Sequence, residues 1–181
     1  MNKSNMDAPA LLWIDLEMTG LDPEKDKILE VAAIITNWKL EKIATYQAAQ
    51  KVDEKLVKER MVGPFWDGVS TTRDKLISQN AAAKKSAKAV EKELLDFINP
   101  YFENATPVLA GNSIHQDRLF IAKEWKTLNQ KLHYRMLDVS SLKLVFENVY
   151  SIQFIKKKTH RALDDIEESI GELKFYLKEI K

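Results

Sequence analysis

No cysteine occurs among the 181 residues of the chain. Disulfide bonds and thiolate metal sites are therefore excluded, and any bound metal ion must be held by oxygen or nitrogen ligands. The sequence also lacks an uninterrupted run of about 18 apolar residues, which a transmembrane helix requires. We therefore expect a protein without a membrane span.

The chain has almost no net charge. Lysine and arginine total 28 and aspartate and glutamate total 27, which gives a formal net charge of +1. No global basic field is present to attract a long nucleic acid, and we expect no binding of long duplexes. This balance does not exclude a short nucleic-acid ligand, or one that is held through a metal ion.

The length fits one domain with a substantial hydrophobic core. No internal repeat, low-complexity segment or interdomain linker is apparent. Residues 1–9 are polar and lack the apolar run of a secretory signal. We expect a disordered leader over residues 1–9, a single domain over residues 10–181, and a cytoplasmic protein.

Short apolar segments alternate with helical patterns, which predicts an α/β protein. Three successive apolar segments predict an antiparallel meander of strands. Gly and Pro predict a loop over residues 62–68. The predicted strands cover 11–16, 28–36, 40–48 and 107–110, with one more within 132–139. The predicted helices cover 53–59, 70–80 and 84–98, then a segment capped by Ser113, a segment from 140 to about 149, and a segment from 160 nearly to the C-terminus.

The first predicted strand carries two acids, Asp15 and Glu17. Residues two apart in a strand point to the same face, so both carboxylates project together. Like charges this close repel each other, and burial increases the cost. A multivalent cation with oxygen ligands would remove both problems. The alternative is a strand end whose acids simply reach water.

Two further acids lie at the ends of predicted elements. Asp117 falls in the first turns of a helix that follows a strand, and Asp165 borders the apolar stripe of the last helix. Asp117 would either complement the helix dipole or supply a third metal carboxylate at a strand-to-helix junction. His160 lies five residues before Asp165. By itself, capping or surface exposure explains this histidine better than catalysis does.

Phe65 and Trp66 are large aromatic residues within the predicted loop. Aromatic residues of this kind commonly cover a hydrophobic core. They also form stacking surfaces for nucleic-acid bases. Both interpretations stay open at the level of the sequence.

The combined pattern resembles the DEDD (DnaQ-like) exonuclease superfamily in its histidine-containing branch. That branch has an Asp-x-Glu strand, a middle Asp, and a His followed five positions later by an Asp. Four segments further resemble the oligoribonuclease family, and the resemblance extends from about residue 11 to residue 178. They are Leu-x-Met-Thr-Gly-Leu at 16–21, Gly-Asn-Ser-Ile-His-Gln-Asp-Arg at 111–118, His-Tyr-Arg-x-Leu-Asp-Val-Ser at 133–140 and His-Arg-Ala-Leu-Asp-Asp-Ile at 160–166.

This resemblance implies a ribonuclease H-like exonuclease fold, with a five-stranded mixed sheet flanked by helices. It implies a homodimer that hydrolyses short single-stranded oligoribonucleotides, especially dinucleotides, from the 3′ end and releases 5′-mononucleotides. It also implies two divalent ions, Mg²⁺ or Mn²⁺, in each site.

The resemblance also assigns roles to individual residues. The ions would be held by Asp15, Glu17, Asp117 and Asp165. His160 would act as the general base for the attacking water. Leu21 and Trp66 would contact the bases, and Gln116 would also contact substrate. Ser113 and Ser140 would lie near the 5′ phosphate, whereas Tyr134 (a catalytic residue) and Arg135 would reach the site of the partner protomer.

One segment departs from the family pattern. Val69 and Thr71 stand where the family has histidines, so that the substrate would be held less tightly or differently on this side, through Arg73 for example. Two other functions therefore stay open. One is a DEDD exonuclease that acts on longer RNA or on DNA 3′ ends. The other is a catalytically silent nucleic-acid-binding module, which would need a lost ligand or base, and the sequence shows none lost.

Overall fold

The computed structural model describes residues 6–155 and 162–180. Its centre is a five-stranded mixed sheet in the order β3-β2-β1-β4-β5. The first three strands pair antiparallel, and β4 and β5 pair parallel to β1 and β4 respectively, which confirms the predicted meander and mixed sheet. The strands are β1 (Pro9–Met18), β2 (Ile28–Asn37), β3 (Lys42–Ala49), β4 (Val108–Gly111) and β5 (Met136–Asp138).

Helices cover both faces of this sheet. Within the described ranges, none of them combines the length and the apolar character that crossing a bilayer requires. The helices are α1 (Glu54–Arg60), α2 (Pro64–Gly68), α3 (Ser70–Ala82), α4 (Ala87–Ile98), α5 (Ile114–Glu124), α6 (Lys126–Lys131), α7 (Val139–Val149) and α8 (Ala162–Glu179).

Strand β1 lies at the centre of the sheet and is buried on both faces. Leu12, Ile14 and Leu16 pack with α4, α5 and α6 on one face. Leu11 and Trp13 pack with α7 and α8 on the other face. A strand covered on both faces requires a continuous apolar run, which is why residues 11–14 contain no polar position.

The predicted loop over residues 62–68 is wrong in part, because residues Pro64–Gly68 form the short helix α2. Pro64 lies in the first turn, where its missing N–H and its fixed φ favour a helix start. Gly63 precedes it with φ 98°, a left-handed value that glycine adopts without steric cost. Gly and Pro here mark the start of a helix rather than an irregular segment.

Candidate active site

Three carboxylates converge where β1 meets α8. Oxygen atoms of Asp15, Glu17 and Asp165 all lie within 4.8 Å of one another. We call these three residues the carboxylate cluster. All three are half-buried.

The alternation of β1 explains the convergence. Asp15 and Glu17 continue the face of Leu11 and Trp13, which is the face that packs against α8. Asp165 lies in the first turn of α8, next to the buried Ile166. The packing of α8 on β1 therefore brings Asp165 to the pair of acids on the strand.

Asp117 lies on α5, which packs on the face of β1 opposite to α8. Its side chain is 6% exposed, and its Oδ1 atom accepts a hydrogen bond of 3.0 Å from the backbone N–H of Leu16. Burial raises the pKa of Asp117 to about 7, although hydrogen bonds from backbone N–H groups favour its charged form. Asp117 is not one of the three residues whose oxygen atoms lie within 4.8 Å of each other.

The electrostatics of the cluster are unfavourable without a counterion. Burial raises the pKa of Asp15 well above its usual value, and the charges of Asp117, Glu17 and Asp165 raise it further. Glu30 lies opposite Glu17 on the neighbouring strand β2, and its charge also raises the pKa of Asp15. Hard divalent cations prefer several carboxylate oxygens, so these residues fit Mg²⁺ or Mn²⁺. His160, the predicted general base, lies outside the described residues.

A cavity of about 660 Å³ opens beside the cluster, and Glu17 belongs to both. Small-ligand sites typically have volumes of about 300–1,000 Å³. Apart from Glu17, Asp22, Asp26 and Arg60, the side chains around the cavity are uncharged. It is lined by residues 16–22 and by Asp26, Arg60, Val62, Phe65, Trp66, Val69 and Thr72.

Leu21 and Trp66 both line this cavity, in different ways. Leu21 is 73% exposed, and its backbone carbonyl accepts a hydrogen bond of 2.7 Å from Gln116 Nε2. Trp66 is buried, and its indole N–H donates to the carbonyl of Thr19 at 3.2 Å. Phe65 is exposed and packs edge-on against Trp66. Trp66 thus covers the core, as one interpretation predicted, while Phe65 presents an open ring.

Ser113 and Ser140 lie side by side at the ends of β4 and β5. Their hydroxyl oxygens are 3.2 Å apart, and the N–H of Ser113 donates to Asp138 Oδ1 at 3.0 Å. Asn112 Oδ1 accepts from the Ser140 hydroxyl at 3.3 Å, and its Nδ2 donates to Ser169 of α8 at 2.7 Å. The predicted side-chain cap by Ser113 is wrong, because its backbone is left-handed (φ 50°) and its side chain makes no cap hydrogen bond.

Tyr134 and Arg135 lie on the exposed stretch before β5. Tyr134 is 74% exposed and stacks on the ring of His133, with 4.6 Å between centroids. The guanidinium carbon of Arg135 lies 5.1 Å from the centre of the Tyr134 ring. Neither residue is among the described residues that line the cavity.

Arg73, in the segment that departs from the family pattern, forms ion pairs with neighbouring acids. Its Nη1 atom lies 3.2 Å from Asp67 and its Nε atom 3.0 Å from Asp74. Val69 and Thr72 line the cavity in this segment, so the structure presents uncharged side chains there.

Asp26 and Arg60 also line the cavity, although no motif in the sequence indicates a site that includes them. Asp26 is 1% exposed, and its carboxylate accepts hydrogen bonds from Arg60 Nε at 2.7 Å and Nη2 at 3.1 Å. In the sequence Asp26 lies at the end of a polar segment, Leu21-Asp22-Pro23-Glu24-Lys25-Asp26. No local pattern distinguishes it from Asp22.

The buried carboxylate of Asp26 leaves no room for a side chain at position 20, which is occupied by Gly20. A Cβ atom at position 20 would lie 2.5 Å from Oδ2 of Asp26. Because Arg60 holds that carboxylate, Gly20→Ala is expected to lower the free energy of unfolding by about 1–3 kcal/mol, which urea denaturation measures. Gly68→Ala is the matched control, because nothing lies within 4 Å of a Cβ atom there. Equal stability of the two variants would contradict the prediction.

Comparison with known sequences identifies close relatives. The model of the exonuclease family RNase_T matches residues 12–173. The chain is 44% identical to an oligoribonuclease of Francisella tularensis subsp. holarctica (strain OSU18), and the match covers 96% of this chain and 97% of that protein. It is 40% identical to an oligoribonuclease of Aeromonas hydrophila subsp. hydrophila, over 93% and 94% of the two chains.

Comparison with solved structures identifies the same fold in larger proteins. E. coli ExoI, in a zinc-bound complex with single-stranded DNA, matches with a TM-score of 0.65 at 14% identity, over 96% of this chain and 41% of that one. Exonuclease I of Methylocaldum szegediense matches with a TM-score of 0.61 at 16% identity, over 93% and 40%. These likenesses confirm the predicted ribonuclease H-like exonuclease fold.

Proposed function

We infer the activity of this chain from the family to which it belongs, since it is a member of the exonuclease family RNase_T and, within it, of the oligoribonucleases. On this basis it is a metal-dependent 3′-to-5′ exoribonuclease that hydrolyses short oligoribonucleotides. The observation that carries this conclusion is the carboxylate cluster at the edge of the cavity.

We propose that two divalent ions, Mg²⁺ or Mn²⁺, are held by Asp15, Glu17 and Asp165 together with Asp117. When bound, such ions neutralise charge on a scissile phosphate and promote attack by water. The protein's own contribution is a set of oxygen ligands within 4.8 Å of one another, aligned by β1 and α8. The raised pKa of Asp15 supports the assignment, because a divalent ion would stabilise the charged carboxylate.

His160 is proposed as the general base that takes a proton from the attacking water. A histidine has an ordinary pKa near about 6.5, which suits proton transfer close to neutral pH. Its place in the sequence, five residues before Asp165, supports the role.

The substrate contacts follow the shape of the site. We propose that the exposed side chain of Leu21 contacts a base, that the buried Trp66 forms the wall behind it, and that Gln116 acts by holding Leu21. The paired hydroxyl groups of Ser113 and Ser140 are proposed to bind the 5′ phosphate. A cavity of about 660 Å³ with few charged side chains and a net charge of +1 favour a short substrate over a long nucleic acid.

The homodimer is also a proposal. Tyr134 is an exposed aromatic residue with Arg135 beside its ring, and both residue types are enriched in protein interfaces. We propose that both residues complete the site of the partner protomer, where Tyr134 acts in catalysis. The cytoplasmic location and the leader at residues 1–9 stay predictions from the sequence.

The test is a comparison of substrate lengths. A labelled diribonucleotide is expected to be converted to 5′-mononucleotides at least about tenfold faster than a ten-nucleotide RNA, because a cavity of about 660 Å³ has the volume of a small-ligand site and cannot enclose the longer RNA. Rates are measured by product separation with Mg²⁺, Mn²⁺ or a chelator, and the chelator should remove the activity.

A second candidate function is exonuclease activity on longer RNA or on DNA 3′ ends, which the uncharged Val69 and Thr72 at the cavity favour. Faster cleavage of the ten-nucleotide RNA or DNA than of the diribonucleotide would support it and contradict the first. Metal-dependent release of mononucleotides from any of these substrates would exclude a catalytically silent binding module.

A further inference from the structure

The loop between β1 and β2, residues 19–27, is closed by hydrogen bonds across its base. The backbone N–H of Thr19 donates to the carbonyl of Lys27 at 2.9 Å. The N–H of Lys27 donates to the Thr19 hydroxyl at 3.0 Å, and that hydroxyl donates to Asp26 Oδ1 at 2.9 Å. We call residues 19–27 the rim loop, because Leu21 at its tip lines the cavity.

Asp26 connects both arms of the rim loop. Besides Thr19, its carboxylate accepts from the backbone N–H of Asp22 at 2.9 Å. The N–H of Asp26 in turn donates to the carbonyl of Asp22 at 2.7 Å. The conformation of the rim loop therefore depends on one carboxylate that is almost completely buried.

Arg60 is the partner of this carboxylate from outside the loop. As the last residue of α1, it contacts one oxygen through Nε and the other through Nη2. This bidentate geometry fixes orientation as well as distance, and a lysine cannot reproduce it. A buried carboxylate that loses its counterion is strongly destabilised, so the rim loop would rearrange without Arg60.

The rim loop carries the proposed base contact but none of the carboxylate cluster. Leu21 projects from its tip, and the carbonyl of Thr19 accepts from the Trp66 indole. Asp15 and Glu17 belong instead to β1, and Asp165 to α8. A shift of the rim loop would therefore move the cavity wall and leave the cluster in place.

We propose that Arg60 is a positioning residue for substrate binding, because its ion pair with Asp26 holds the rim loop and Leu21 against the cavity. This inference rests on the proposed function, in which Leu21 contacts a base of the substrate. Arg60 acts through Asp26 and not on the reacting atoms. We take the base that Leu21 contacts to be the one that a diribonucleotide has and a substrate with a single base lacks. The loss of Arg60 should therefore weaken the binding of a diribonucleotide more than it slows the chemistry.

The kinetic test compares Arg60→Met and Arg60→Lys with Lys58→Met, which removes an exposed positive charge from the same helix. The substrates are a diribonucleotide and the p-nitrophenyl ester of a nucleoside 5′-monophosphate, which has only one base. For Arg60→Met we expect the KM for the diribonucleotide to rise by about tenfold with kcat within about twofold. Hydrolysis of the ester should change by less than about twofold, Arg60→Lys should recover part of the KM, and Lys58→Met should match the wild type.

Amide hydrogen exchange provides a readout that does not require activity. In Arg60→Met the amides of Asp22 and Lys27 should exchange at least about tenfold faster, whereas those that pair β1 with β2 should not change. Arg60→Lys should give an intermediate increase, and it decides the question if Arg60→Met does not fold.

Three results would overturn the proposal. The first is an unchanged KM for the diribonucleotide in folded Arg60→Met. The second is an equal loss of hydrolysis with the diribonucleotide and the ester, and the third is unchanged amide hydrogen exchange in the rim loop. If the wild type hydrolyses neither substrate, the proposed function fails. Faster amide exchange in Arg60→Met would then show that Arg60 holds the rim loop but has no role in binding an RNA substrate. The failure of the proposed function is thereby distinguished from the failure of this inference.

Discussion

Asp165→Asn is expected to lower the turnover of a diribonucleotide in Mg²⁺ by at least about a thousandfold. The substitution preserves the shape of the side chain but replaces the carboxylate of Asp165 with a neutral amide. That carboxylate is one of three whose oxygen atoms lie within 4.8 Å of one another. Changing residues that only orient metal ligands typically costs about 10- to 100-fold, so the loss of a ligand itself should cost more. Steady-state rates at saturating substrate measure the effect.

Asp164→Asn is the matched control for this experiment. Asp164 is the neighbouring acid in the first turn of α8, and it is exposed. The two variants change the net charge equally and alter the same helix terminus, so they share any effect on the helix dipole. Asp164→Asn should retain activity within about twofold. Full activity in Asp165→Asn, or an equal loss in both, would remove the proposed role of the cluster.

Asp15→Asn is expected to have opposite effects on activity and on stability. Turnover should again fall by at least about a thousandfold, because Asp15 is one of the residues proposed to hold the ions. In a chelator at pH 8, however, the free energy of unfolding should rise by about 1 kcal/mol or more, which corresponds to about 2–4 °C in melting temperature. The gain arises because the variant no longer buries a negative charge beside Asp117, Glu17 and Asp165.

The expected gain in the free energy of unfolding follows from the direction in which the pKa of Asp15 is shifted. The pKa of Asp15 is higher in the folded than in the unfolded protein, because of burial and then because of its acidic neighbours. Its contribution to stability is therefore complete below the unfolded pKa, near about 4, and is lost as the pH rises through the folded pKa. Without metal, the wild type should lose stability over this range, and Asp15→Asn should lose less.

Thermal unfolding with a chelator and with Mg²⁺ measures both parts of this prediction. Added Mg²⁺ should stabilise the wild type and have little effect on Asp15→Asn, because a ligand stabilises only the state that binds it. Asp22→Asn is the control, because the pKa of Asp22 is shifted in the opposite direction: a hydrogen bond from Lys25 lowers it. It should not gain stability. A lower melting temperature of Asp15→Asn in chelator would mean that Asp15 is stabilised by its neighbours rather than repelled.

Several features of the fold were predictable because they depend on short-range patterns. An apolar run buried on both faces predicts a central strand, and β1 is that strand. The two-residue period that places Asp15 and Glu17 on one face is a property of any strand. By contrast, the loop prediction for 62–68 was wrong in part, because Gly and Pro also begin helices and their role depends on the packing of Trp66.

The family, the succession of strands and helices, and the shared face of Asp15 and Glu17 can be read from the sequence, because each depends on residue type and on spacing along one element. The distance between Asp165 and Asp15, the burial of Asp26 against Arg60, and the contrast between the buried Trp66 and the exposed Phe65 became known from the folded chain. Burial and electrostatic interaction are sums over neighbours that come from distant parts of the chain. No local pattern contains them until packing has brought those parts together.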